Sequence, residues 1–388
     1  MTTSLLEGSD ILSPSRDGEP LDLIGRIVFW LIVIYLVMNR VIPDLMVLPV
    51  GFSLRPYEAV LGLLAVFWVV WNVSEPHPFP MGLVGAVGLA LIVVLTLAPF
   101  INGPGLDPFQ ANGAERGLFR MFILTGLFLA AYHQALRLRY GMRLLGWVVG
   151  VTVFQALLGI WEFVNATPVT FMYDFARSIG LVFDPNAIRN ELTDVFVRDF
   201  GGELRATATA PHPIVLSSVI AMTVMIVGVW MIYNRRRKAL LFLVPSAAIL
   251  IVALPVPNSR TAFVILGLAA FPLAVLMIDR LPRLIVWSLA VFLAFGIAFA
   301  LSSQTPRLLL DSVTNAEDDP NTQVRLERFE RVPELLAERP IIGAGYLTHD
   351  VEIQLFDNAF NMGLIEFGIL GFVLAVWWLL CVLVRCWS

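Results

Sequence analysis

Long apolar runs alternate along the chain with short polar connections. Runs near the ~20 residues that span a bilayer fall at 23–39, 57–73, 80–101, 117–136, 143–165, 212–233, 239–257, 261–279, 283–301 and 357–385. The pattern predicts an all-α fold: a polytopic bundle of about ten transmembrane helices forming one membrane domain over 1–388. Residues 41–54 are read as a re-entrant or interfacial piece. The last run ends just before Ser388, so a further helix is expected beyond it. The first 22 residues are polar and acidic, without the basic stretch and cleavage site of a signal peptide.

Composition sharpens this picture. Hydrophobic residues make up 58% of the chain and charged residues 14%, against about 25% charged in soluble domains. The mean hydropathy is +0.80. A net charge of -4 is small, and no nucleic-acid partner is expected. Cys381 and Cys386 stand five apart in the last run, on different helix faces, and form neither a disulfide framework nor a metal site.

Charge in the short connections gives an orientation. Arg137, Arg139 and Arg143 occupy one connection, "NRRRK" (234–238) another, and Asp279, Arg280 and Arg283 a third. Two spans separate each pair, so all three share a face, which the positive-inside rule assigns to the cytoplasm. The amino terminus comes out on that same face. The long polar segments 166–211 and 302–356 then lie outside, as does the turn "PVPNSR" at 255–260. Loops on a rigid scaffold are where function concentrates. The second segment holds an amphipathic helix, 321–338, with Phe329, Val332, Leu335 and Leu336 as its apolar stripe and Asp318 or Asp319 as its cap. Such a helix beside spans reads as interfacial.

Four stretches on the outer face carry candidate chemistry. "LRATATAPHPIVLSS" (204–218) brings Arg205 and His212 to the mouth of a span. "NSRTAF" (258–263) places Arg260 at the start of another. "NTQVRLERFERVPELLAERPIIGAGY" (321–346) supplies Arg325, Arg328 and Arg331 before a glycine turn. "DNAFNMGLIEFGILG" (357–371) opens the final span with Asp357, Asn358 and Asn361, and helical spacing puts Asn361 on a common face with each of the other two. Glu366 lies about two turns deeper. Ionisable residues at such depth usually face a cavity or a partner.

The order of these motifs resembles the O-antigen ligase and polymerase superfamily of bacterial membrane glycosyltransferases, over roughly residues 200–371. The resemblance implies a GT-C type enzyme in the bacterial cytoplasmic (inner) membrane, with its active site facing the periplasm or cell exterior. It implies a polyprenyl-pyrophosphate-linked glycan as donor, an acceptor glycan or lipid, and no cofactor or metal. Ligases of the superfamily carry His followed by Asn, with Gly eleven residues after the His. Here Gly368 pairs with Asp357, followed by Asn358. That departure leans toward the polymerase branch and makes Asp357 the candidate base, with His349 the other candidate. Arg205, Arg260, Arg325 and Arg328 would bind pyrophosphate, since guanidinium forks hold phosphate oxygens bidentately and keep their charge. Asn358, Asn361 and His212 would bind glycan.

Plainer roles stand beside each of these. Asp357 and Asn358 are also good helix caps, and Arg260 is a reasonable headgroup anchor. Arg328 and Arg331 can pair with neighbouring Glu residues on a solvated face. His212 and His349 can be interfacial, and Glu162 and Glu366 can satisfy partners inside the bundle. A transporter or flippase of lipid-linked glycans is the alternative function, although repeated halves and broken helices with charge at the midplane are not visible. A scaffold protein would not need an outward Arg cluster facing a carboxylate.

Overall fold

A computed structural model describes residues 23–50, 54–74, 83–102, 108–135, 138–183, 199–200, 203–204, 206–233, 237–257, 259, 262, 265–266, 330–343, 345 and 359–387. Eight of the ten apolar runs coincide with helices. They are α1 (Leu23–Val41), α2 (Pro56–Ser74), α3 (Leu83–Asn102), α4 (Pro108–Ala135) and α5 (Leu138–Asn165). After the short α6 (Thr170–Ser178) come α7 (Pro213–Tyr233) and α8 (Arg237–Ala253). Residues 330–338 form α9, and Ala359–Trp387 form α10. Most of runs 261–279 and 283–301 lies outside the described residues.

The helix starts are written in the sequence. Pro56, Pro108 and Pro213 each open a helix, where a fixed φ helps and the missing N–H was unpaired anyway. At α2 the Glu58 carboxylate also accepts the Arg55 backbone N–H at 3.0 Å, half of a capping box.

Five helical stretches among the described residues are long and apolar enough to cross a membrane: Leu23–Val41, Gly85–Asn102, Tyr140–Asn165, Pro213–Ile232 and Gly363–Cys381. Pro56–Trp71 and Lys238–Ala253 are shorter apolar helices. The fold is therefore that of an all-α membrane protein, and these five stretches among the described residues do not by themselves support the count of about ten spans. Helix α4 differs from its apolar run for a physical reason. It begins earlier than the run and carries Glu115, Arg116 and Arg120 within the helix. The outward faces fit lipid: Val66, Val69, Val70 and Val73 form an exposed stripe on α2, and Leu89, Val93, Leu97 and Phe100 one on α3. A helix apolar on its exposed face reads as facing hydrocarbon.

The backbone gathers into two compact units. The first takes in Leu61–His133 and Ser312–Ser388. In it α10 packs along α3, with the Trp378 indole against Gly88, and Phe128 meets Trp378 edge-on at 5.8 Å. Gly126 of α4 lies so close to Ala65 of α2 that a Cβ there would come within 2.6 Å of the Ala65 Cβ, the small-residue contact by which membrane helices approach closely. Val332 and Leu335 of α9 pack on Leu364 and Ile365 of α10, so this part of the predicted stripe is covered by protein. Residues 321–329, including Phe329, lie outside the described set.

The second unit takes in Phe29–Val60 and Gln134–Asp311. Helices α5, α7 and α8 form its core around Leu216, Ile220, Val224, Leu243 and Leu250. Buried hydroxyls turn back on their own helices, as Thr152 does to the Val148 carbonyl and Thr223 to that of Val219. This satisfies them without water. Two short antiparallel pairs complete the unit: β1 (Met46–Val47) with β2 (Val182–Phe183), and β3 (Asp199–Phe200) with β4 (Glu203–Leu204). Residues 41–54, predicted re-entrant or interfacial, thus include a strand, and Met46 is fully buried against Tyr173, Ala176 and Leu181.

Candidate functional site

Of the residues singled out from sequence, Arg205, Arg260, Arg325, Arg328, His349, Asp357 and Asn358 lie outside the described set. Asn361 is in the first turns of α10. His212 is half-buried directly before α7, and its Nδ1 accepts the Ile214 backbone N–H at 3.1 Å. That bond makes His212 the N-cap of α7 and leaves the proton of the neutral ring on Nε2. Capping is therefore a role the structure gives it.

The glycine turn predicted after 321–338 sits against a break in the last helix. Gly368 has φ 65° and ψ -177°, a region open essentially to glycine alone, and it divides α10 in two. A break inside an apolar helix frees backbone groups that lipid cannot satisfy. Here the segment after α9 satisfies them. The Ile369 N–H donates to the Pro340 carbonyl at 2.9 Å and the Leu370 N–H to that of Ile341 at 3.0 Å. The Gly345 N–H donates to the Glu366 carbonyl at 2.9 Å. The Asn102 amide, at the end of α3, donates to the Gly343 carbonyl at 2.5 Å. A Cβ on Gly343 would lie 2.4 Å from the Glu366 carbonyl oxygen and from the Gly368 nitrogen. Two glycines therefore permit a backbone-to-backbone contact between "PIIGAG" and the helix break.

In the second unit the polar turn before α7 is built around a buried carboxylate. Glu162 of α5 is 1% exposed, and its Oε2 accepts the Thr207 N–H at 2.9 Å and the Ala208 N–H at 2.7 Å. The Ala210 N–H closes a turn on the Thr207 carbonyl at 2.9 Å, with Ala208 at φ 50°. The Thr209 hydroxyl donates to the Arg40 carbonyl and accepts the Gln155 amide, the latter at 3.2 Å. Sequence reading singled out Glu162 only as a polar group inside the bundle, and it missed Arg40, Gln155 and Thr209. The signal available was the run of small residues "ATATA" leading into a helix.

A second polar cluster sits between α1 and α2. Asp44 pairs with Arg55 at 3.0 Å, Arg55 donates to the Tyr57 hydroxyl at 2.7 Å, and that hydroxyl donates to Asp44 at 2.9 Å. Burial opposes the Arg55 charge, but Asp44 and Tyr57 outweigh it and raise the guanidinium pKa. Tyr173 stacks on Phe183, and Arg177 lies over the same Phe183 ring. Burial, then the Glu162 and Asp44 carboxylates, push the Tyr173 phenol up to about 12. No cluster of three or more potential metal ligands occurs among the described residues.

No curated protein and no solved structure matches the chain. A family model described as O-antigen ligase matches residues 245–376. The match runs from Pro245 in α8 to Val376 in α10, about a third of the chain, and takes in "NSRTAF", "ERPIIGAGY" and "DNAFNMGLIEFGILG". It supports an O-antigen ligase or polymerase type of enzyme acting on lipid-linked glycans in a membrane. Residues 245–376 thus bear out the resemblance to the O-antigen ligase and polymerase superfamily that the order of the motifs implies.

Proposed function

We propose that the protein is a glycosyltransferase at the outer face of the cytoplasmic membrane, extending a glycan from a polyprenyl-pyrophosphate donor. The acceptor hydroxyl gives its proton to the Asp357 carboxylate, and its oxygen attacks the anomeric carbon with inversion. The anomeric C–O bond breaks, and the electron pair leaves on the polyprenyl pyrophosphate. Negative charge grows there, and Arg260 and Arg325, with Arg205 and Arg328, neutralise it without a metal. Preorganised charge of this kind is usually the largest catalytic term. Asn358, Asn361 and His212 bind sugar hydroxyls, and His349 is the second candidate for the base.

The observation that carries this reading is the family match over the segment holding Arg260, Arg325 and Asp357. Asp357 at the position where the ligase pattern has His favours polymerase over ligase. A broken helix is also a transporter feature. In α10, however, the amides of Ile369 and Leu370 and the Glu366 carbonyl are taken up by residues 340–345, which favours a packed wall over an ion path.

Purified protein given lipid-linked repeat units tests the reading directly. A ladder of products indicates a polymerase and a single transfer product a ligase. No product at all, with the lipid-linked unit instead carried across a bilayer, would replace the enzyme with a flippase.

A further inference from the structure

We propose that Glu162 is a positioning residue for donor binding. Its buried carboxylate fixes the Thr207–Ala210 turn, which lies in the sequence between Arg205 and His212. The inference rests on the reading of Arg205 as a pyrophosphate ligand.

A buried carboxylate is costly unless it is paired or well hydrogen-bonded. Among the described residues Glu162 makes no ion pair, and its two bonds go to successive backbone amides at 2.9 and 2.7 Å. Successive amides in a turn form an anion-binding concavity, and here an anion on α5 fills it. The turn could not hold its shape cheaply alone. Ala208 is an L-residue at φ 50°, a conformation that needs outside support. Support comes from three directions: Glu162 on α5, Gln155 one face-repeat earlier on the same helix, and the Arg40 carbonyl at the end of α1.

Arg205 and His212 flank this turn in the sequence. Arg205 precedes Ala206 by one bond, between β4 and the turn. His212 follows two residues after Ala210 and caps α7. Bidentate phosphate binding depends on angle as well as distance, so a turn held rigid next to Arg205 in the chain would favour it.

The test compares Glu162→Leu, Glu162→Gln, Thr209→Val and Arg205→Ala in the full chain, purified in lipid nanodiscs. Three quantities are read: amide exchange across 206–210, donor KM and kcat, and acceptor KM. Glu162→Leu is expected to speed exchange across 206–210 and raise donor KM roughly tenfold to hundredfold, the scale of a lost charge-assisted hydrogen bond. Acceptor KM stays unchanged. Glu162→Gln keeps one acceptor oxygen and falls between Glu162→Leu and the wild type. A purely structural Glu162 instead lowers the melting temperature and leaves donor KM where it was, which overturns the proposal. If Glu162→Leu does not fold, Glu162→Gln and Thr209→Val decide it, and wild-type donor KM in both overturns it. Wild-type donor KM in Arg205→Ala overturns the underlying reading and this proposal with it. A defective Arg205→Ala beside unaffected Glu162 variants overturns the proposal alone.

Discussion

Asp357 has two candidate roles that a single substitution separates. Asp357→Asn keeps the size, the polarity and even the capping ability, and removes only the basic carboxylate. A lost general base lowers the rate by about 10² to 10⁴, whereas a lost cap changes stability by only about 1 kcal/mol. The expected outcome is an inactive protein with unchanged melting. Normal turnover in Asp357→Asn beside a dead His349→Ala would move the base to His349. The arginines are tested in the same way. Arg260→Ala and Arg325→Ala are expected to abolish transfer in proteins that still insert, and Lys at either position should recover little, since a point charge lacks the bidentate fork. Full activity in either Ala variant would remove that residue from pyrophosphate binding. These residues were legible in the sequence because charge at the end of an apolar run is conspicuous. Glu162 was seen only as a charge within a run, because its partners are backbone amides 45 and 46 residues away. No side-chain pattern announces such a contact.

The elements themselves followed from period and punctuation: eight apolar runs became helices, three of them opened by proline. The break in α10 was not legible, since Gly368 sits in an otherwise apolar run that only Glu366 interrupts nearby, and glycines are common in membrane helices. Only the approach of residues 340–345 makes its conformation necessary. Gly368→Ala would put a Cβ 2.4 Å from the Gly343 nitrogen and 2.5 Å from the Ile341 carbonyl oxygen, and backbone cannot step aside as a side chain can. Strained φ/ψ alone costs about 1–3 kcal/mol, so a loss of at least about 2 kcal/mol is expected on unfolding in detergent. Gly62→Ala is the control, with open space around the added Cβ, and should be neutral or slightly stabilising. Equal melting of the two variants would mean the break is not held as described. The β1–β2 pair was equally invisible, because two-residue strands have no period. It rests on Tyr173, whose phenol is raised to about 12 from an ordinary value near 10. A pKa raised by folding gives stability that is complete below pH 10 and lost as pH climbs to about 12. The loss is roughly 2–3 kcal/mol at about 1.4 per unit. Melting of the wild type should therefore fall more steeply over that window than melting of Tyr173→Phe, and parallel curves would contradict the assignment.

At the scale of the whole molecule the open question is which face of the membrane carries the polar segments. Two contacts made separately within the two units agree with the parity of the sequence-derived topology. In one, residues 46–47 after α1 pair with residues 182–183 after α5, and an odd number of crossings precedes both. In the other, Asn102 at the end of α3 bonds Gly343 in the second long segment, and the ten-run reading of the sequence puts an odd number of crossings before both as well. On the ten-run reading the arginine-bearing connections after α4 and α7 would be on the opposite face, which the positive-inside rule would assign to the cytoplasm. We therefore expect that, with Cys381 and Cys386 replaced by Ser, Asn190→Cys and Thr314→Cys react with a membrane-impermeant maleimide in right-side-out vesicles. Asn234→Cys, beside the Arg235–Lys238 run, should react only after the bilayer is permeabilised. Labelling of Asn234→Cys alone would invert the molecule, put Arg260 and Asp357 on the cytoplasmic side, and end the case for transfer at the outer face. Labelling of Asn190→Cys without Thr314→Cys would instead mean that an odd number of crossings separates the two long segments. Most of the uncertain spans, 261–279 and 283–301, lie between them.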